Sequence, residues 1–392
     1  MDPLSDFLSR VSEVVGLNPI ARSLHEPRIG QHEISHVSKC LESTFVSTVG
    51  PFTTEFEHQL ESMLDVEHVI AVVNGTAALH ISLIVAGVEP GDEVVIPSLS
   101  FVATANAVKH AGAIPHFVDS ENTTLGLSPI SLREMLDQTA IGPNGSRINR
   151  ITGRKIAAIV PMHTFGHIVN IAEIMLIAAE FNVTVIEDAA ESLGSTREGQ
   201  HAGTFGDLGT LSFNGNKILT TGGGGAVVTR SDEIATRIRA LTTTAKRTHP
   251  WEFFHDEVAW NYRMPNLNAS LGLGQLADFS ERLEKKRELA FRYKRSFANS
   301  EYFDFVGEPD GCTSNYWLNS VRMKERNRDL RNSILDGAVA SGFGCRPAWN
   351  LLSTLPMFVD CPTTDLSTAH ELEDRLICLP SSPQLVDRVE AG

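Results

Sequence analysis

The sequence is poor in features that mark several large classes of protein. It has five cysteines in 392 residues, Cys40, Cys312, Cys345, Cys361 and Cys378, and no two of them form C-x-x-C. That dispersion argues against zinc-finger and thioredoxin-like patterns, and an odd set of scattered thiols suits a reducing compartment. Basic residues are in deficit: 33 Lys and Arg stand against 48 Asp and Glu, a formal net charge of −15. A field of that sign repels nucleic-acid phosphates and anionic membrane surfaces, so neither is an expected partner. The opening residues MDPLSDFLSRVSEVVG carry acids early and have no long apolar run, unlike a secretory signal. A cytoplasmic location is expected. One stretch without Asp, Glu, Lys or Arg, residues 70–88, is long enough for a bilayer crossing. Asn74-Gly75-Thr76 interrupts it, so strand, tight turn and helix is the expected parse.

Hydrophobic residues make up 42% of the chain, enough for a large core. At ~150 residues per domain the length predicts two or three domains. Short β-rich runs lie at 69–73, 93–97, 114–118, 155–161, 183–188 and 209–213, with helical patterns at 76–86, 102–111, 130–138 and 171–181. This alternation predicts an α/β fold with a mostly parallel sheet covered by helices, and such sheets bind ligands at the carboxyl ends of their strands. Residues 141–154 read as an exposed loop or hairpin, and 280–299 as a long charged helix. Three units are expected: an amphipathic helix and arm at 1–30, a large domain at 31–265 and a smaller α+β domain at 266–392. In the first helix Leu4, Phe7, Leu8, Val11, Val14 and Val15 share one face.

Two motifs imitate known sites. His32-Glu33-Ile34-Ser35-His36 has H-E-x-x-H spacing, which in zinc hydrolases places two imidazoles one helical turn apart beside a glutamate base. The G-x-x-H extension of that motif does not follow, since Lys39 stands where its glycine would be. A surface helix with Ile34, Val37 and Leu41 inward is the simpler reading. Gly222-Gly223-Gly224-Gly225 lacks the Lys-Ser/Thr of a phosphate loop.

Three other features converge. Asn74-Gly75-Thr76 opens a helix after a strand, where free N–H groups and the helix dipole attract a phosphate, although Thr76 is also read simply as an N-cap. Glu187-Asp188 ends a buried strand, and a carboxylate there needs a cation or a donor. Ser212 and Lys217 flank the next strand end; a desolvated lysine can form a Schiff base with a carbonyl, and the following tetraglycine permits a side-chain-free path close to a ligand. Phosphate cradle, carboxylate and lysine together are what pyridoxal 5′-phosphate requires of a protein.

The ordered set STVGPFTTEFE (47–57), AVVNGTAALH (71–80), GDEVVIPSLSFVATANAV (91–108), IEDAAESLGS (186–195), SFNGNKILTTGGGG (212–225) and NYRMPNLNASLGLGQL (261–276) resembles the DegT/DnrJ/StrS family of pyridoxal-phosphate-dependent sugar aminotransferases, across most of the chain. The resemblance implies a transferase fold of the aspartate-aminotransferase type. It implies that Lys217 binds the cofactor covalently, Asp188 pairs with its ring nitrogen, and Phe101 stacks on the ring. Gly75, Thr76 and Ser212 would hold its phosphate, and Asn261 would reach the phosphate from a partner subunit of a homodimer with shared active sites. Glu191 stands where many relatives carry Gln or His, near the cofactor phenolate, where a carboxylate is unfavourable unless protonated or paired. Arg28, Arg263, Tyr316 and Arg346 are candidates for the substrate, with Trp317 beside them.

L-Glutamate would supply the amine and a nucleotide-linked keto sugar would receive it. EDAAESLG and SFNGNK are most similar to the branch that makes 4-amino-4,6-dideoxy sugars on UDP-N-acetylhexosamine. A 3-aminotransferase or a sugar dehydratase of the same family is the near alternative; the dehydratase type replaces the lysine with histidine. A zinc hydrolase using His32, Glu33 and His36 is the remote one.

Overall fold

The computed structural model describes residues 2–16 and 23–389. The large unit runs α2 (Gln31–Ser43), α3 (Pro51–Leu64), β1 (His68–Val72), α4 (Gly75–Val85), β2 (Glu93–Pro97), α5 (Val102–His110), β3 (Ile114–Val118), α6 (Pro129–Asp137), β4 (Thr139–Ile141), β5 (Arg147–Asn149), β6 (Lys155–Ile159), α7 (Ile171–Phe181) and β7 (Thr184–Asp188). It continues through β8 (Thr196–Arg197), β9 (Gln200–His201), β10 (Leu208–Ser212), β11 (Gly225–Thr229), α8 (Asp232–Thr242) and α9 (Asn266–Ala277). Nine strands form its sheet, in the order β1-β11-β10-β7-β6-β2-β3, with β5 on β6 and β4 on β5. The β10-β7-β6-β2-β3 run is parallel, whereas β11 lies antiparallel between β1 and β10.

The expected strands and helices form, with ends shifted by a residue or two. Residues 70–88 are strand, turn and helix, and among the described residues no helix is long and apolar enough to cross a membrane. Residues 141–154 fold as the β4–β5 hairpin and its flanks. Strand β11 was not expected, because its sequence, GAVVT, emerges from the glycine run. Both faces of the sheet are buried, which explains why its strands are continuous apolar runs.

The second unit contains α10 (Phe279–Phe297), β12 (Phe303–Phe305), β13 (Cys312–Thr313), β14 (Asn319–Met323), α11 (Arg328–Ala340), β15 (Arg346–Pro347), α12 (Ser367–Arg375), β16 (Leu376–Leu379) and α13 (Leu385–Val389). Its sheet has the order β12-β14-β16-β15. The N-terminal helix α1 (Pro3–Val15) is capped by Asp2 and buries Phe7, Val11, Val14 and Val15 in the same core as Tyr293, Phe297, Phe303 and Ile334. Its periodic face therefore belongs to the C-terminal unit.

Helix α2 corrects an expectation. Ile34 and Leu41 are exposed, and Glu33 and Cys40 are the buried positions. Glu33 accepts the Gly30 N–H at 2.7 Å and a bond from Gln275 Nε2, and Arg282 lies 3.8 Å away. The fully paired carboxylate turns the helix so that its polar side meets α9. Gly274 on α9 makes this approach possible: a Cβ there would lie 2.5 Å from Glu33 Cα.

The tetraglycine is likewise a packing device. A Cβ on Gly225 would lie 2.5 Å from the Asn74 carbonyl carbon and 2.7 Å from the Gly75 nitrogen. These backbone atoms have little freedom to move, so β11 can pass the turn before α4 only without a side chain. Gly225→Ala is expected to lower unfolding stability by ~1–3 kcal/mol, the usual cost of overpacking. Urea denaturation checks this: an unchanged midpoint would show that the turn yields freely.

Candidate active site

The segment after β2, the carboxyl ends of β7 and β10 and the N-terminus of α4 surround a cavity of about 650 Å³. At its floor, Asn74 caps α4, its side chain accepting the Ala77 N–H at 2.8 Å. The N-cap is thus Asn74 and not Thr76. Thr76 sits in the first turn with its side chain on the cavity. The first helical N–H groups lack intrahelical acceptors and carry the positive end of the dipole. Ser212, at the end of β10, closes this corner: a Cβ on Gly75 would lie 2.9 Å from Ser212 Cβ. Backbone donors and two hydroxyls so grouped form an anion cradle.

Strand β7 separates its two terminal acids by alternation. Glu187 points away from the cavity and accepts N–H groups of Gly203, Phe205 and Gly206 at 3.0, 2.6 and 2.7 Å, and pairs with His163 Nε2 at 2.9 Å. The Val169 N–H donates to His163 Nδ1 at 3.3 Å, which puts the ring proton on Nε2, toward Glu187. Glu187 is a loop clamp. Asp188 lines the cavity, and its Oδ2 accepts Thr104 Oγ1–H at 2.7 Å and its Oδ1 the Ala190 N–H at 3.3 Å. Burial pushes the Asp188 carboxyl above its ordinary range, opposed by the Thr104 bond and by the charge of Lys217.

Lys217 lies in the turn after β10, where its N–H donates to the Asn214 carbonyl at 3.0 Å. Its Nζ is 3.3 Å from Glu191 Oε1 and 3.8 Å from the centre of the Trp317 ring. The Trp317 indole N–H donates to the Asn216 carbonyl at 2.7 Å and fixes that ring. Glu191 Oε2 accepts the Phe165 N–H at 2.9 Å. Burial pushes the Glu191 carboxyl up to about 7, with Lys217 drawing it down.

The cavity thus brings together Gly75, Thr76, Phe101, Asp188, Glu191, Ser212, Lys217 and Arg346. Other candidates lie elsewhere. Arg28 borders a separate small cleft, 3.6 Å from Glu281. Arg263 is held beside β1 through its backbone and does not line the cavity. Tyr316 is buried behind the wall, its hydroxyl accepting the Glu308 N–H at 3.0 Å; Trp317 is the neighbour that reaches the site. Asn261 is exposed and does not line the cavity of its own chain. Among the described residues no group of acids, histidines and cysteines is arranged to hold a metal, and His36 Nδ1 turns back to the His32 carbonyl at 2.8 Å, against the zinc reading. The tetraglycine does not border the cavity either, and its last member, Gly225, packs on the Asn74–Gly75 turn.

Sequence reasoning missed the far wall. Trp349 packs against Phe165 and Phe101, with ring centres 5.1 and 6.3 Å apart, and Asn350 adjoins it. The only signal was an aromatic and an amide just after Arg346.

Comparisons with known proteins agree with this geometry. The profile of the DegT/DnrJ/EryC1/StrS aminotransferase family matches residues 27–389. A GDP-perosamine synthase of Escherichia coli O157:H7 is 34% identical over 364 residues, covering 92% of this chain and 93% of the relative. A dTDP-4-dehydro-2,3,6-trideoxy-D-glucose 4-aminotransferase of Saccharopolyspora spinosa is 30% identical, covering 93% of each. The crystal structure of the aminotransferase TlmJ from Streptoalloteichus hindustanus superposes with a TM-score of 0.84 at 29% identity, over 95% of this chain and 97% of that one.

Enzymes of this family depend on pyridoxal 5′-phosphate, and the donor set fits that group. The α4 cradle suits its phosphate, Lys217 its aldehyde, and Asp188, buried and paired with neutral donors, a cationic ring N–H. Thr104→Val keeps the shape but removes one bond to Asp188. Loss of a hydrogen bond to a charged group costs ~1.5–3 kcal/mol, so Kd for pyridoxal 5′-phosphate should rise at least about tenfold. Binding of the ring N–H needs the carboxylate, which exists above the Asp188 pKa. The substitution pushes that pKa further up, so the acid limb of the binding profile should move to higher pH. Cofactor titrations across pH check both; an unmoved limb would contradict the pairing.

Proposed function

The chain belongs to the DegT/DnrJ/EryC1/StrS aminotransferase family, and from that premise we propose that it transfers an amino group from L-glutamate to C4 of a nucleotide-linked 4-keto-6-deoxyhexose. The observation that carries this reading is one cavity lined by a lysine amine, a buried carboxylate and a helix N-terminus. When bound, pyridoxal 5′-phosphate supplies an electrophilic carbon for the amine and a ring that accepts the electrons of a carbanion. The residues do the rest. Asp188 keeps a proton on the ring nitrogen, because a carboxylate in a buried site favours a cationic partner. The Lys217 amine, once free, accepts a proton at Nζ from the donor's α-carbon and returns one at the adjacent position. Thr76, Ser212 and the α4 N–H groups would hold the phosphate, and Phe101 would offer the ring an apolar face. Substrate anions enter a protein of charge −15; Arg346 at the cavity supports their reception against the general field.

The 4-position follows the 4-aminotransferase activity of the Saccharopolyspora relative. For the nucleotide, the GDP-perosamine synthases of E. coli and Vibrio cholerae, at 34% and 31% identity, favour guanosine. The similarity of EDAAESLG and SFNGNK to enzymes of UDP-N-acetylhexosamine carries the second reading, a uridine-linked substrate.

The same reading makes the enzyme a homodimer in which Asn261 reaches the partner's site. Its support is the segment leading to Asn261, which exposes Trp251, Phe253, Phe254 and Val258, an apolar patch that suits burial against a second copy. Sedimentation should give twice the chain mass, and a monomer at micromolar concentration would overturn that arrangement.

Lys217→Ala should lose turnover and the visible band of bound cofactor, and full activity would remove the mechanism. Asp188→Ala should slow turnover by ~10²–10³, the usual cost of losing a preorganised electrostatic partner. A panel of GDP-, UDP- and dTDP-linked 4-keto-6-deoxy sugars with glutamate, read by product mass, decides the nucleotide. Amination of none of them would reject the sugar assignment.

A further inference from the structure

Glu191 has no assigned part in the chemistry above, yet of the cavity carboxylates it alone touches the reacting amine. It is 2% exposed, and Lys217 keeps 11% of its side chain exposed. The two are 3.3 Å apart. The carboxyl is held on its other side by the Phe165 N–H, presented from a tight turn in which Phe165 has a left-handed φ of 57°. The lysine is held on its other side by the Trp317 ring. Each partner is therefore fixed by a second contact, and the separation between them does not rest on a flexible surface rotamer. A pair so placed is the arrangement required for direct proton exchange.

We propose that Glu191 is the proton partner of Lys217: the carboxyl takes the proton that the Lys217 ammonium must shed before its amine can act, and gives it back when the ammonium re-forms. The exchange balances. The N–H bond of Lys217 breaks, the O–H bond of Glu191 forms, and the pair is neutral overall in both states, ammonium with carboxylate or amine with carboxylic acid. No net charge is created in a buried site, which is where creating charge costs most. The burial that pushes the Glu191 carboxyl up to about 7 is what allows it to hold a proton in the range where such enzymes work. A glutamate in this position resolves the conflict seen in the sequence, since its acid form presents an O–H where a carboxylate alone would repel an anionic neighbour.

The other titratable groups around the pair are few. Asp188 raises Glu191 through like charge, and the Cys378 thiol feels Glu191 in turn. His25 is depressed by burial and by the charges of Lys286 and Lys217. His163 stands near Asp188 and pairs with Glu187, and Arg346 lies on the cavity wall. Lys217 is the group at hydrogen-bond distance from the carboxyl.

This inference rests on Lys217 being the cofactor lysine, and its test separates the two. The cofactor is stripped from wild type and from Glu191→Gln, and pyridoxal 5′-phosphate is mixed back at a series of pH values. The rate at which the visible band of lysine-bound cofactor appears is then followed. A base at hydrogen-bond distance that accepts the ammonium proton lets the amine act at a pH where transfer to bulk water alone would not supply it. Glu191→Gln should therefore shift the rate profile to higher pH by one unit or more, while the amide oxygen keeps the Phe165 bond. A superimposable profile, or a shift to lower pH that marks a simple ion pair, would overturn the proposal and leave the cofactor assignment intact, whereas a wild type that develops no band at any pH fails the assignment itself. Should Glu191→Gln not fold, Glu191→Asp draws the carboxylate back by one methylene, and a smaller shift in the same direction is expected; no shift there counts equally against the proposal.

Discussion

Two carboxyl groups and one amine share a buried cavity, and the electrostatics of that trio constrain everything around it. With Asp188, Glu191 and Lys217 all ionised the sum is one negative charge out of water, which a protein does not leave unmatched. Asp188 is partly satisfied by Thr104 and the Ala190 amide, neutral donors that leave a cation wanting. Glu191 is satisfied by the Phe165 amide and by Lys217. The shortfall is met either by a proton on Glu191 or by a cationic group at Asp188, which the ring nitrogen of a pyridoxal cofactor would supply under the proposed assignment. Charge need and cofactor chemistry are one fact seen from two sides.

The fold exists to bring these groups to one place. Parallel strands deliver Asp188 and Ser212 at their carboxyl ends, and α4 begins between them because Gly75 and Gly225 remove the side chains that would hold the backbones apart. The C-terminal unit supplies one wall of the cavity, including the Trp317 ring beside Lys217. There Lys286, fully buried on α10, donates from Nζ to the carbonyls of Trp317 and Ser381, the first at 2.7 Å. It thereby ties the ring beside Lys217 to the chain that returns toward Leu24.

Much of this was legible in the sequence because the relevant constraints are local. Buried parallel strands need apolar runs, and IPHFV reads as the strand it is. Strand-end acids, a helix-opening Asn-Gly-Thr and a lysine in a turn are short-range patterns, and the cavity unites them. The misreadings came from long-range contacts. Helix α2 looked apolar on the Ile34 side, but Glu33 finds Gln275 and Arg282 some 240 residues later, and those bonds reverse its face. Strand β11 was hidden by a glycine run whose last member, Gly225, makes a close backbone contact with Asn74. Trp349 and Asn350 belong to the wall only because β15 pairs with β16, which no periodicity around them reveals.

The central claim is that a single lysine forms the covalent bond to the cofactor, and it is tested by borohydride reduction of the loaded enzyme, digestion and mass analysis. The added mass should fall on the peptide containing Lys217. Its appearance on Lys286, the other deeply buried lysine, or on none, would contradict the account.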